Sequence, residues 1–194
     1  MESARILVAM NNEALTNKMK AVLTGSGYQV VEQANNANDA LRKLISLRPD
    51  LAVMEYDLSP QNSINVAKIA FEDKLCDVIL IASGEQKDTI EYLKADYDFV
   101  IVAKPLHKES FLSTVDLVVK NRKKVMLLEK EIEELKDTLD SRKEIEQAKG
   151  FLMKQLNLSE EQAFKMIQKQ SMNRGIKMKE IAKAINLTYN LKGN

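Results

Sequence analysis

Residues 5–15, RILVAMNNEAL, pass from a short apolar run into a polar corner. The apolar run at residues 6–8 has the composition of a strand that is buried on both faces. The chain then brings Met10 and Asn11 to the carboxyl end of that strand, which is where open α/β sheets keep their functional residues. This corner holds no acid, no nucleophile and no glycine-rich phosphate loop. The stretch therefore predicts an α/β fold in which the usual position of the functional site lacks an acid, a nucleophile and a phosphate loop.

Four similar apolar runs follow, separated by segments of helical length. The five predicted strands lie at residues 5–10, 28–32, 50–55, 77–82 and 99–103. Parallel strands need crossover connections, and right-handed crossovers place helices on both faces of the sheet. The alternation therefore predicts a five-stranded, doubly wound parallel sheet over residues 1–107.

The composition is that of a soluble globular protein. Hydrophobic residues make up 45% and charged residues 29% of the 194 positions. No apolar run approaches the roughly 20 residues that a membrane-spanning helix needs, and the first residues lack the order of a signal peptide. We therefore expect a cytoplasmic protein that does not contact a membrane. Cys76 is the only cysteine, so no internal disulfide is possible.

Residues 108–141 carry apolar side chains at heptad spacing. The seam consists of Val118, Val125, Leu128, Ile132, Leu135 and Leu139. β-branched residues at a positions with Leu at d positions favour a parallel two-stranded coiled coil. In such a dimer Lys124 would face Glu129 of the second copy, and Glu131 would face Lys136. The alternative is a surface helix that packs on its own domain.

Residues 142–194 predict a small bundle of three helices. Ser159 and Gln162 have the spacing of a capping box. Phe164, Ile167 and Met172 are expected to form the buried face of the second helix. The buried face of the third is expected to consist of Met178, Ile181, Ala182 and Ile185. Residues 140–194 hold 11 Lys and Arg against 6 Asp and Glu, which suggests a polyanionic partner or a solvated basic face.

Two segments of the first domain resemble the receiver domain of bacterial response regulators. Lys104-Pro105, in FVIVAKPL, is similar to the Lys-Pro pair after the fifth receiver strand, and residues 49–60, PDLAVMEYDLSP, are similar to the region of the third strand. The resemblance implies a flavodoxin-like fold and a phosphorylation pocket at Met10, Asn11, Glu55, Ala82 and Lys104. Met10 and Asn11 then replace the two acids that hold Mg²⁺, Glu55 replaces the phosphoacceptor Asp, and Ala82 replaces a hydroxyl residue.

These replacements predict a pseudo-receiver. Mg²⁺ prefers carboxylate oxygens, and without the metal most of the catalysis of phosphoryl transfer is lost. We expect no metal, no cofactor and no catalytic residue here, and Asp57 lies too far along the chain to replace the phosphoacceptor. Glu55 could contact Lys104 and imitate a phosphorylated aspartate. The alternative is an ordinary ion pair in a pocket that has lost its chemistry.

Residues 142–185 resemble an ANTAR domain, a module that binds RNA hairpins in transcription antitermination. The resemblance rests on Ala148-Lys149-Gly150, Leu152-Met153, Ser159 to Phe164, Ser171-Met172-Asn173 and Ile181-Ala182. The candidate RNA contacts are Lys149, Lys169, Ser171, Asn173, Arg174, Lys177 and Lys179. Glycine in a helix interior costs about 1 kcal/mol, so Gly150 is expected to allow close approach by a neighbouring helix or by RNA.

The leading hypothesis is therefore a dimeric antiterminator that binds paired RNA hairpins without Asp phosphorylation, with a possible regulatory protein partner on the receiver. A protein-interaction scaffold built on the pseudo-receiver and the coiled coil is the alternative. A DNA-binding regulator is disfavoured because no helix-turn-helix pattern is present. An enzyme is the weakest interpretation, since His107 is the only histidine and has no nucleophile or cysteine cluster near it in sequence.

Overall fold

A computed structural model of the chain describes residues 3–59, 63–91, 97 and 100–190. It divides into two compact units, one ending at Val125 and the other beginning at Met126. The first unit contains strands β1 (Arg5–Ala9), β2 (Gln29–Ala34), β3 (Leu51–Glu55), β4 (Asp77–Ala82) and β5 (Val100–Ala103). All strand pairs are parallel, in the order β2-β1-β3-β4-β5. The predicted doubly wound sheet is thus confirmed; Phe99, in the predicted fifth strand, lies outside the described residues.

Four helices of this unit connect the strands: α1 (Glu13–Gly25), α2 (Ala37–Leu47), α3 (Ile64–Glu72) and α4 (Gly84–Glu91). Alternate strand residues point to opposite faces, so Leu7 and Ala9 pack in one hydrophobic cluster and Ile6 and Val8 in another. Helices α2 and α3 cover the first face, and α1 covers the second. Both faces are therefore buried, which explains the nearly continuous apolar runs of the strands.

The fold places the polar corner at the point where strand order reverses. Strand β1 pairs with β2 on one side and with β3 on the other. The helix that follows β1 and the helix that follows β3 therefore lie on opposite faces of the sheet. The carboxyl ends of these two strands flank the crevice that results. Residues distant in sequence, Asn11 after β1 and Glu55 at the end of β3, are thereby brought together.

A single helix of 49 residues, α5 (Lys108–Leu156), contains both the predicted coil and the first predicted helix of the bundle. It contains no proline and only one glycine, Gly150, so nothing interrupts it at the predicted boundary between residues 141 and 142. Its first turns pack Phe111, Val115 and Val119 against the sheet of the first unit. The three predicted domain boundaries remain a prediction.

The second unit is a bundle formed by the end of α5 with α6 (Glu160–Arg174) and α7 (Met178–Asn190). Ser159 and Gln162 form the predicted capping box. The core consists of Ala148, Leu152, Ala163, Ile167, Ile181 and Ala182. The predicted face of α7 is correct, with Met178 and Ile185 packed at the core margin.

The predicted face of α6 is wrong at two of its three positions. Ile167 is buried, but Phe164 and Met172 are exposed. The helix instead turns Ala163 inward, one turn before Ile167, because a small side chain allows the neighbouring helices to pack closely. Among the helices of the described residues, none is long and apolar enough to span a membrane.

Candidate functional site

Asn11 closes the corner by bonding to the loop that follows β3. Its side-chain amide donates a hydrogen bond to the carbonyl oxygen of Asp57 and accepts one from the backbone N–H of Ser59 at 3.2 Å. Its own backbone N–H points to Glu55 Oε2 at 3.4 Å. A carboxylate could not make both side-chain bonds, because an ionised acid only accepts. Asn11 thus holds the loop directly through its amide.

Glu55 and Lys104 form the predicted contact. Lys104 Nζ donates to Glu55 Oε1, while the other carboxylate oxygen faces the Asn11 N–H. The Glu55 side chain is only 10% exposed, so removing Lys104 would leave a carboxylate that is buried and poorly paired. Both Glu55 oxygens are therefore engaged, one by Lys104 and the other by the Asn11 N–H.

The other corner residues offer no metal ligand. Met10 and Ala82 are buried, and Ala82 contributes its carbonyl oxygen, which accepts from the Lys104 N–H at 2.8 Å. In the described part of the chain no group of three or more His, Cys, Asp or Glu residues could hold a metal ion. Neither a thioether nor a methyl group is a ligand that Mg²⁺ prefers.

Sequence analysis missed two further contacts at this edge. The Asp57 carboxylate accepts from Gln86 Nε2 at 2.7 Å, and Gln86 also accepts from the Ser83 N–H at 2.8 Å. Ser83 in turn accepts from the Gln86 N–H at 3.3 Å, which caps α4. The Ser83–Gln86 spacing was a visible capping signal, but nothing local pointed to Asp57, 29 residues away from Gln86.

The predicted seam on α5 is exposed over most of its length. The exposed fractions of Val125, Leu128, Ile132, Leu135 and Leu139 lie between 41% and 64%. Val118 differs, because it packs partly buried against the core of the first unit. The charged residues predicted to pair across the dimer form no ion pair among the described residues: Lys124, Glu129, Glu131 and Lys136. They are therefore available for ion pairs with a second copy.

Three of the seven candidate RNA contacts have structural partners in the second unit. Lys149 is only 7% exposed, and its Nζ bonds to Glu146 and Glu160 at 2.7 Å each. These two carboxylates raise the Lys149 pKa, and Lys149 lowers the Glu160 pKa. This lysine joins α5 to α6.

Lys179 and Ser171 are engaged in the same way. Lys179 Nζ bonds to Asp137 at 2.5 Å, and this carboxylate raises the Lys179 pKa. The Ser171 hydroxyl donates to the Ile176 carbonyl at 2.5 Å. That bond stabilises the turn after α6, where Gly175 adopts a positive φ of 65°, a conformation that favours glycine.

The other four candidates form a cluster around the end of α6, called here the α6 edge: Lys169, Asn173, Arg174 and Lys177. All four are exposed, and none has an ion pair or side-chain hydrogen bond among the residues the structure describes. Arg174 and Asn173 occupy the last turn of α6, and Lys177 follows in the turn to α7. The edge therefore presents three cations and an amide to solvent.

Gly150 has open space where a side chain would be. A Cβ on this residue would meet no atom of the described residues within 4 Å. The expectation that Gly150 allows a neighbouring helix to approach is therefore wrong within the single chain. Approach by RNA remains a prediction.

Comparisons with known proteins distinguish an N-terminal and a C-terminal part of the chain, as the structure does. Residues 133–185 match the ANTAR domain family. The transcriptional regulatory protein PdtaR of Mycobacterium tuberculosis (strain H37Rv) is 25% identical over 181 residues, which cover 93% of this chain and 88% of that protein. The chemotaxis protein CheY of Thermotoga maritima is 26% identical over 119 residues, 60% of this chain and 98% of that one.

A solved structure shows the same fold in the first unit. The CheY-like response regulator receiver domain protein of Methanospirillum hungatei JF-1 superposes with a TM-score of 0.57 at 19% identity, covering 63% of this chain and 98% of that one. Together with the 2-1-3-4-5 parallel sheet, this identifies the fold of the first unit. The chain thus joins an N-terminal domain of receiver fold to a C-terminal ANTAR domain, the organisation of an ANTAR-type response regulator.

Proposed function

We propose that the chain is a transcription antiterminator that binds paired RNA hairpins as a dimer, independently of Asp phosphorylation. The observation that carries the proposal is the α6 edge. Its three cations are exposed and form no ion pair among the described residues, so they can bind phosphates. Asn173 and Arg174 can form hydrogen bonds with the edges of unstacked loop bases, which is how single-stranded RNA is recognised.

Two of the basic residues first assigned to RNA are instead assigned to the bundle. Lys149 and Lys179 bond to carboxylates of their own unit, and a phosphate would have to compete with those bonds. We therefore assign RNA contact to the α6 edge, and assign to Lys149 and Lys179 the role of holding α6 and α7 against α5.

The exposed seam on α5 supplies the dimer. Two copies joined in a parallel coiled coil would present two α6 edges at once, so binding of the first hairpin would raise the effective concentration for the second. Paired hairpins held in this way would exclude an overlapping terminator. The transcriptional role in the name of the PdtaR relative supports this assignment.

The corner of the receiver domain supports independence from phosphorylation. Among the residues that the structure describes, no acid pair lies beside Glu55, and the Glu55 carboxylate is already bonded to Lys104 and Asn11. We propose that this ion pair holds the corner in one fixed arrangement, as a phosphorylated aspartate would. Glu55→Ala is expected to weaken dimerisation or RNA binding; unchanged values for both would show that Glu55 is no mimic.

The test is binding of the purified, unphosphorylated full chain to a two-hairpin leader RNA and to a scrambled control RNA, at two salt concentrations. We expect tight binding to the hairpin RNA alone. Arg174→Gln should reduce the dependence of log affinity on log salt by about 0.7 to 1 for each lost phosphate contact. The matched control is Lys165→Gln, since Lys165 lies on the same helix but pairs with Glu161 at 2.6 Å.

Each alternative outcome has a clear meaning. Equal effects of the Arg174 and Lys165 variants would move the RNA site away from the α6 edge. No binding of either RNA by the full chain would contradict the antiterminator and favour the protein-interaction scaffold.

A further inference from the structure

A cavity of about 430 Å³ opens beside the corner of the receiver domain, between α1 and the start of α5. Helix α1 lines one wall with Leu15, Met19 and Val22, whose spacing places them on one face of the helix. Met10 and Phe111 are other apolar lining residues. This volume lies within the range of about 300 to 1,000 Å³ that small-molecule sites occupy.

The charged groups at this cavity are mostly cationic. Lys18, Lys104 and Lys108 line it, and Glu55 is the only acid among the described residues that line it. Lys104 is already paired with Glu55. Lys18 and Lys108 are exposed and have no acidic partner among the described residues. Two lysines are therefore free to neutralise an anion.

The residue at position 10 determines the sign of the charge that this site accepts. A carboxylate there would repel an anion and attract a cation. Met10 supplies an apolar surface instead and is 3% exposed. Met10 therefore forms an apolar floor beside the unpaired ammonium groups of Lys18 and Lys108.

We propose that this cavity binds a small amphipathic anion, an acyl or aryl carboxylate. The apolar part packs against Met10, Met19 and Phe111, and the carboxylate lies between Lys18 and Lys108. The proposal concerns the receiver domain alone and does not depend on RNA binding. It supplies a chemical class for a signal that could act at a corner without a phosphorylation site.

Bound anion would also reach the ion pair of the corner. Lys104 lines the same cavity, so the negative charge of a carboxylate between Lys18 and Lys108 would also attract its ammonium group, which is paired with Glu55. Glu55 in turn faces the backbone of Asn11, whose side chain holds the loop after β3. Occupation of the cavity is thereby linked to the position of that loop.

The test uses decanoate as the probe and the full chain. Calorimetric titration is expected to show saturable binding of one decanoate per chain, and at least tenfold weaker binding of decylamine, which has the same chain length but the opposite charge. Methyl resonances of Met10 and Met19 should shift with decanoate, because both side chains line the cavity.

Substitutions of the two unpaired lysines test where the carboxylate of decanoate binds. Lys18→Gln and Lys108→Gln should each weaken decanoate binding about two- to fivefold, the value of an exposed ion pair. Lys20→Gln is the matched control, since Lys20 is exposed on the same helix and does not line the cavity. Absence of saturable decanoate binding, equal binding of decylamine, or an equal loss in the Lys20 variant would each overturn the proposal.

Discussion

Truncation of Ile132 to alanine tests whether the seam on α5 joins two copies. Ile132 is 51% exposed in the single chain, so a partner helix would bury about half of its side chain. Full burial of such a side chain contributes about 1.5 to 3 kcal/mol, and half of that is about 1 kcal/mol for each chain. A dimer contains two copies, so the variant should lose about 2 kcal/mol of association free energy.

This loss corresponds to a 20- to 30-fold increase in the dimer dissociation constant, at about 1.4 kcal/mol for each factor of ten. Sedimentation equilibrium over a range of protein concentrations measures that constant directly. Alanine is the best helix former, so α5 should keep its helix content, and circular dichroism checks this. The dissociation constant should therefore change while the secondary structure does not.

Leu127→Ala provides the matched control. Leu127 is 68% exposed on the same helix, but it lies two residues after Val125, outside the a and d positions of the seam. The same kind of truncation should therefore leave the dissociation constant nearly unchanged. Equal weakening by both variants, or a wild-type chain that stays monomeric at every concentration, would refute the reasoning.

Three further predictions concern stability and reactivity. Gly150→Ala should stabilise the second unit by up to about 1 kcal/mol in thermal denaturation, because the added methyl meets no neighbour; destabilisation would reveal a contact missing from the single chain. The hydrogen bond from Lys149 lowers the Glu160 pKa, so this pair stabilises the fold above the ordinary carboxyl pKa of about 4.3 and loses its effect as the pH falls through the lowered value. Glu160→Gln should therefore flatten the decrease of Tm on acidification, and an unchanged profile would contradict this. Burial raises the Cys76 pKa to about 12, so its thiol should resist a disulfide reagent at pH 8 in the folded chain and react once urea unfolds it; rapid reaction without urea would show that the site opens.

The local sequence pattern was sufficient to predict the strands and helices of this protein. The apolar runs predicted the strands because a strand covered on both faces excludes polar residues, and β1 and β4 were located almost to the residue. The capping box at Ser159 was equally local, since its two partners are three residues apart. The face of α6 was mistaken because Ala163 and Phe164 differ by one position, and packing against α5 and α7 selects between them.

The partners of polar side chains were decided by tertiary structure. Asn11 bonds to residues 46 and 48 positions further along the chain, and Lys179 pairs with Asp137 across 42 positions. The sequence does not show whether a basic side chain faces solvent or pairs with a carboxylate. Lys149 and Arg174 were therefore equally good candidates for RNA contact. The periodicity of apolar residues depends only on positions a few residues apart, so it can predict a helix or a strand. The electrostatic energy of a charged side chain depends on groups distant in sequence that folding brings beside it. The sequence by itself therefore determined the architecture, and only the tertiary structure decided which charges remain free to bind.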